Sequence, residues 1–192
     1  SRTRRMSPDL SEIPPAASRW PRTAVVVGNP KPHSRTLAAA FHVARELTGA
    51  EPDLVVDLVT LGPSLLDWQD PTVADLVSEV GGADLVIVAC PTFKGTYTSL
   101  LRLFLDRFAV DGIQGVAVPM MLGAGPLHSL APELSLRPVL TAIGATVPSR
   151  SLYVVDATFD DPAAYADWLA AARPRIAAQL EHRLASRTGE IA

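Results

Sequence analysis

A chain of 192 residues, 48% hydrophobic and 19% charged, has the length of one domain and enough apolar material to bury a core. Its net charge of −3 supplies no broad cationic surface for nucleic acid or an anionic membrane. No apolar run approaches the roughly 20 residues that span a bilayer, and Arg2, Arg4 and Arg5 have no apolar segment behind them, which argues against a secretory signal.

Residues 1–20 are polar, rich in Pro and Ser and without periodicity, and read as a flexible N-terminal arm. Residues 21–192 read as a single domain. Arg22 to Gly28 is a buried strand and Asn29 to Ser34 a loop. Thr36 to about Thr48 is a helix that turns Leu37, Ala40, Phe41, Ala44 and Leu47 inward, with Gly49 as its C-cap. Asp53 to Leu58 is the second strand. Asp70 caps the next helix, Pro71 occupies its first position, and Val73, Leu76, Val77 and Val80 form its apolar face. Gly81 and Gly82 end it.

The third strand is an unbroken apolar run, Leu85 to Ala89, as expected where both faces of a parallel sheet are covered. After a polar turn, Tyr97, Leu100, Leu101, Phe104, Leu105 and Phe108 recur at helical spacing and predict one apolar helix face. Val116 to Met121 is a fourth strand, followed by the loop Leu122 to His128. A helix is predicted over about Ser129 to Ile143, bent by Pro138. Ser151 to Val155 is the fifth strand. The last helix starts at Asp160 or Asp161 and runs towards Leu184, with a break at Pro174.

Five strands alternating with long helices predict an α/β three-layer sandwich: a five-stranded parallel sheet with helices on both faces and right-handed crossovers. The expected strand order is 2-1-3-4-5, the flavodoxin-like arrangement. The loops after strands 1, 3 and 4 then converge on the switch point at the carboxyl edge, where open α/β sheets bind ligands. Those loops carry the unusual residues, including both lysines of the chain, Lys31 and Lys94.

The first loop, G-N-P-K-P-H-S-R-T, delivers Ser34, Arg35 and Thr36 to a helix start. Free backbone amides and the positive dipole end make such a start an anion site, and two hydroxyls with a guanidinium suit a terminal phosphate. Ser34 also fits an ordinary N-cap. The motif is neither G-x-G-x-x-G nor a P-loop. In the second loop, P-T-F-K-G-T-Y, Gly95 admits close backbone approach. Phe93 flanks either a flat ring or a neighbouring subunit. Lys94 either balances negative charge or is solvated, and Tyr97 either starts the inward helix face or touches the ligand. In the third loop, L-G-A-G-P-L-H, Gly123 and Gly125 either leave room for a planar ring or make a tight turn, and His128 either caps a helix or contacts the ligand.

No nucleophile–base triad is apparent. The four histidines lack metal-ligand spacing. Cys90, the only cysteine, ends a strand beside the core, so no intramolecular disulfide can form and a reducing cytoplasm is the natural setting. The chemistry of such a site is expected to come from a cofactor rather than from a catalytic side chain or a metal.

Together G-N-P-K-P-H-S-R-T, C-P-T-F-K-G-T-Y-T-S-L-L-R-L-F-L-D and the run from G-A-G-P-L-H to L-R-P-V-L-T-A-I-G-A resemble the NADPH-dependent FMN reductases over about Thr23 to Asp156. The branch most similar supplies reduced flavin to two-component monooxygenases, such as those of sulfonate utilisation. The resemblance implies FMN in the switch-point cleft and hydride transfer to it from NADPH or NADH. It implies that Ser34, Arg35 and Thr36 hold the phosphate. Pro91, Thr92, Phe93, Lys94 and Gly95 would line the ribityl chain and the ring edge, and Gly123, Ala124 and Gly125 would lie under the ring.

It also implies a homodimer or homotetramer, with the helix after the second loop between subunits, and a flavin-dependent monooxygenase as possible partner. The family's third loop commonly resembles T-G-G-S; here Ala124 adds a methyl group and Pro126 removes a backbone donor. Phe93 stands where tyrosine is commoner. Two other readings of the same cleft are an FMN-dependent quinone or azo-compound reductase and a non-enzymatic flavin-binding protein.

Overall fold

The computed structural model describes residues 20–189. The arm expected over residues 1–20 therefore lies, except for Trp20, outside the described residues. Five short runs dominated by Val, Leu, Ile and Ala pair as one parallel sheet: β1 (Thr23–Val27), β2 (Leu54–Asp57), β3 (Leu85–Pro91), β4 (Val116–Gly123) and β5 (Leu152–Val155). Their order is β2-β1-β3-β4-β5, so the chain reverses direction across the sheet between β1 and β3, as the alternation of elements predicts. In the centre Val25 stands opposite Ile87, and Ile87 opposite Val118.

Successive strand residues face opposite sides, which splits the core into two layers. Ala24, Val26, Val86 and Val88 pack with Leu101, Phe104, Leu136 and Leu140 on one face. Val25, Val27, Ile87 and Ala89 pack with Val43, Tyr165, Leu169 and Ile176 on the other. The first face is covered by α2 (Pro71–Gly82), α3 (Ser99–Leu105) and α4 (Arg137–Ala142), the second by α1 (Arg35–Thr48) and α5 (Ala163–Thr188).

Several caps follow the sequence directly. The Ser34 hydroxyl accepts from the Leu37 amide, and Gly49 closes α1 at φ 72° with its amide on the Arg45 carbonyl. Asp70 accepts from the Val73 amide ahead of Pro71. The cap predicted at Asp160 or Asp161 is not formed: Pro162 occupies the N-cap of α5 without a side-chain cap, and Asp161 instead accepts from the Ala163 amide two residues on.

Elsewhere the tertiary structure overrides the pattern. The buried face of α1 is Thr36, Ala39, Ala40, Val43 and Ala44, so the inward face is rotated from the predicted one. Phe41 is half-buried, with the Arg45 guanidinium 5.5 Å from its ring centre. Small residues at the contact let the helix approach the sheet closely, and the larger Phe41 is displaced to the flank.

The helix expected to carry its stripe through Phe108 stops at Leu105, and the chain turns from Asp106. Phe108 is still buried, edge-on to Phe104 at 5.3 Å. The turn aims Arg107 at residues 64–67, where one guanidinium nitrogen donates to the carbonyls of Ser64, Leu65 and Asp67. Those carbonyls belong to a 3₁₀-helical segment, Leu58–Leu66, and the residue that follows it. That segment has no periodic signature.

The single bent helix predicted over about 129–143 is two pieces, a π-helical turn at Pro132–Leu136 and α4, and a 3₁₀ turn at Pro126–His128 precedes them in the predicted loop. The Arg137 amide donates to the Pro132 carbonyl, five residues back, immediately before Pro138 withdraws the next donor. Conversely, α5 is continuous through Pro174. Pro174 and its neighbours Arg173 and Arg175 face solvent, so the lost hydrogen bond falls on the side where water can replace it.

Candidate functional site

The loops after β1, β3 and β4 meet at the carboxyl edge, and each is fixed by contacts of its own. In the first, the Asn29 side chain accepts from the Lys31 amide (2.9 Å) and donates to the Thr36 hydroxyl (3.1 Å). His33 adopts φ 50°, and its amide approaches a carboxylate oxygen of Asp57, at the end of β2, at 3.4 Å. Ser34 and Thr36 are both buried. Ser34 is committed to the first turn of α1 through Leu37. The first amides of α1 have no partner within the helix and point out of its positive end.

Arg35 reaches across the edge. One of its terminal nitrogens donates to the Asp156 carboxylate at 2.7 Å, and its guanidinium lies 5.4 Å from the centre of the Phe159 ring. Asp156 and Phe159 follow β5, so a fourth loop joins the site. Sequence reading singled out neither residue; an acid at the carboxyl end of the fifth strand is the signal that could have found the first.

The second loop leaves β3 with the Thr92 amide still paired to the Leu122 carbonyl at 2.7 Å. Phe93 and Thr96 then exchange both backbone hydrogen bonds around Lys94 (φ 54°) and Gly95 (φ 77°). Two consecutive left-handed residues make a tight turn of the hairpin kind, which glycine favours at one position and which costs lysine energy at the other. Phe93 and Lys94 are exposed. The Thr92 hydroxyl is buried and has no hydrogen-bond partner among the described residues.

Tyr97, the ambiguous residue of this loop, packs against the core, accepts a 2.7 Å hydrogen bond from Arg102 and lies under that guanidinium. Thr98 ends the loop. Its hydroxyl accepts from the Leu101 amide at 3.2 Å, capping α3, and donates to the Gly28 carbonyl at 2.6 Å. A side chain at Gly28 would stand 2.5 Å from Leu101 Cβ, so glycine is what lets the first loop lie on α3.

The third loop is held by a residue that sequence reading did not single out. Tyr153, on β5, donates from its hydroxyl to the Gly125 carbonyl at 2.5 Å. Burial pushes that phenol's pKa up, further from neutral pH, and the protonated hydroxyl donates. Gly123 is the last residue of β4 and is buried, whereas Ala124 is exposed. Gly125 is extended, and a Cβ there would meet nothing within 4 Å. His128 comes beside the second loop: a side chain at Gly95 would sit 3.5 Å from its Nδ1. The second and third loops therefore touch, and the first and second are tied through Thr98.

Cys90, one residue below Pro91, is fully buried, and burial pushes its thiol up to about 12, so it is a packing residue rather than a nucleophile. A cavity of about 670 Å³ opens at the opposite, amino edge, among Arg22, Asp84, Gln114, Arg183 and Arg187. Its one carboxylate, Asp84, is already taken by Arg183 and Arg187, and Arg22 pairs with Glu79. The Arg35 and Thr36 amides at the start of α1, a left-handed turn and the unpaired Thr92 hydroxyl all lie at the carboxyl edge, which is why the site is assigned there and not to that hollow.

The profile of the family described as NADPH-dependent FMN reductase matches residues 21–160. An FMN reductase (NADPH) of Pseudomonas aeruginosa is 30% identical over 166 residues, which cover 81% of this chain and 87% of that one. An FMN reductase (NADPH) of Escherichia coli (strain K12) is 26% identical over 145 residues, 73% of this chain and 76% of that one. The crystal structure of an NADH:FMN oxidoreductase (EMOB) in its apo form superposes with a TM-score of 0.66 at 25% identity, over 88% of this chain and 89% of that one. The matched span contains all three loops.

Proposed function

Because the chain belongs to the NADPH-dependent FMN reductase family, we propose that its three convergent loops hold FMN, residue by residue, as the motifs suggest. The activity is that of an NAD(P)H:FMN oxidoreductase. Residues 21–192 act as one FMN-binding unit. The observation that carries the site assignment is the set of donors left uncommitted at the carboxyl edge: the Arg35 and Thr36 amides of α1 and the buried, unpaired Thr92 hydroxyl.

These donors fit a phosphorylated flavin. Ser34, Arg35 and Thr36 surround a helix N-terminus, which favours a phosphate by its amides and its dipole. Ser34 contributes chiefly by capping that helix, and Thr36 by fixing Asn29 and hence the loop. Pro91, Thr92, Phe93, Lys94 and Gly95 line the ribityl chain and the ring edge, with the left-handed turn presenting backbone amides. Gly123, Ala124 and Gly125 form the floor under the ring. When bound, FMN accepts a hydride from NADPH or NADH. The chain's own residues bind, orient and exclude water, and no side chain is needed as acid, base or nucleophile.

The protein works in the cytoplasm as a homodimer or homotetramer. Leu101, Phe104, Leu105 and Phe108 are covered by the protomer's own core, so α3 needs no subunit to bury that side. The exposed apolar residues Phe93, Leu127, Leu130 and Leu134 follow β3 and β4 instead, and their exposure supports a contact between copies beside the cleft. Reduced flavin is passed on to a flavin-dependent monooxygenase.

The deciding experiment is oxidation of NADPH and of NADH by the purified protein with and without added FMN, together with its absorbance spectrum before and after dialysis. Turnover that needs added FMN supports a flavin-supplying reductase. A yellow cofactor that survives dialysis and reduces quinones or azo compounds directs the reading to that second use of the cleft. Failure to oxidise either nucleotide in the presence of FMN rejects the assignment.

A further inference from the structure

Of Ser34, Arg35 and Thr36, only Arg35 carries a charge, and it does not stand alone. Its Nη1 is 2.7 Å from Asp156 Oδ2, its guanidinium lies over Phe159, and its remaining nitrogens have no partner among the described residues. Asp156 opens a short 3₁₀ turn directly after β5, at the same carboxyl edge, and is separated from Arg35 by 121 positions in sequence. An arginine has three flexible carbon–carbon torsions before its planar head. A carboxylate on one edge of that head and a ring beneath it set its orientation, and two edges stay open for oxygen acceptors.

We infer that Asp156 is a positioning residue for the flavin phosphate, acting through Arg35. This rests on the reading of Arg35 as a phosphate ligand given above. Both partners are largely exposed, with side-chain accessibilities of 58% and 42%, so the pair adds little to folding. Its contribution is to binding: a guanidinium already fixed over Phe159 loses less freedom when the phosphate arrives. The opposing electrostatic reading is that Asp156 competes with the phosphate for Arg35. The two make opposite predictions, because removing a competitor tightens binding and removing a support weakens it.

The test compares FMN with riboflavin, which lacks the phosphate, by quenching of flavin fluorescence on titration with protein. Asp156→Ala is expected to weaken FMN binding about three- to tenfold, to leave riboflavin binding unchanged, and to leave the melting temperature near that of the parent protein. Asp156→Asn, which keeps a hydrogen-bond acceptor for Arg35, is expected to recover part of the loss. In the double variant Arg35→Ala/Asp156→Ala, the loss should equal that of Arg35→Ala alone.

Tighter FMN binding in either Asp156 variant, no change in Asp156→Ala, or an equal loss for riboflavin would each overturn the inference. Arg35→Ala serves as the separate control. If it leaves the preference for FMN over riboflavin intact, the phosphate assignment itself is wrong. If it abolishes that preference while Asp156→Ala does not alter it, only the role of Asp156 fails.

Discussion

The hydroxyl of Tyr153 stands where a side chain at Gly123 would have to go: a Cβ built on that glycine would lie 1.9 Å from the phenolic oxygen. The glycine in the third loop is thus required by a neighbouring strand, whatever lies above it. The same hydroxyl fixes the Gly125 carbonyl. Tyr153→Phe is expected to remove that hydrogen bond at a cost of about 1 kcal/mol and to weaken FMN binding more than it lowers stability. Gly123→Ala is expected to be the harsher change, since the ring must move. Denaturant unfolding and FMN titration of both variants check this; equal FMN affinity in all three proteins would show that the loop's position does not matter to the flavin.

Thr98 joins two of the three loops with one oxygen. Thr98→Val keeps the shape, removes the cap of α3 and leaves the buried Gly28 carbonyl without its donor. Together these losses amount to roughly 2–3 kcal/mol, and chemical denaturation should show them as a lower midpoint with an unchanged slope. Thr98→Ser restores both hydrogen bonds and is expected to recover most of the stability.

Asp84 makes stability pH-dependent. Burial by itself raises its pKa, but the Arg22 amide and the guanidinium groups of Arg183 and Arg187 outweigh that effect and hold it below the usual carboxylate range. Its folded pKa is therefore below the unfolded value of about 3.9. The stabilisation is complete above roughly pH 5 and is lost as pH falls through the folded value. Asp84→Asn is expected to cost about 3 kcal/mol at neutral pH and to flatten the decline in acid. Thermal unfolding from pH 3 to 7 tests this, and parallel curves for variant and parent would contradict it.

Cys90 is expected to be silent. Fully buried and with its thiol pushed up to about 12, it holds almost no thiolate at pH 8. A disulfide reagent should react with it only after denaturant is added, and Cys90→Ala should leave the NADPH oxidation rate at saturating FMN unchanged. Rapid labelling of the native protein, or loss of turnover in the alanine variant, would refute the assignment.

The pattern of residues determined much of this molecule unaided. Continuous apolar runs at Leu85–Ala89 and Val116–Met121 are strands because nothing else that short buries both faces. Ser34, Gly49 and Asp70 mark helix ends because their chemistry acts on amides and carbonyls within four residues. Alternation of strands and helices is a local property too, and handedness then leaves few ways to arrange the sheet. That the loops after β1, β3 and β4 converge follows from the order, so the edge proposed to hold FMN was legible in the sequence.

The rest depended on partners far away in the chain. The unbroken course of α5 through Pro174 depends on which side of the helix meets water, and the early end of α3 on where Arg107 finds carbonyls to bind. The face of α1 was set by how closely Ala39, Ala40 and Val43 approach the sheet, which periodicity alone leaves open to a rotation. Asp156 beside Arg35 and Tyr153 against Gly123 join positions 121 and 30 residues apart. No spacing rule links such pairs, because their contact exists only once β5 has been laid beside β4. The sequence alone determined the layers, the strand order and the loops that bear the chemistry; the packing of one strand against another decided which side chains hold those loops still.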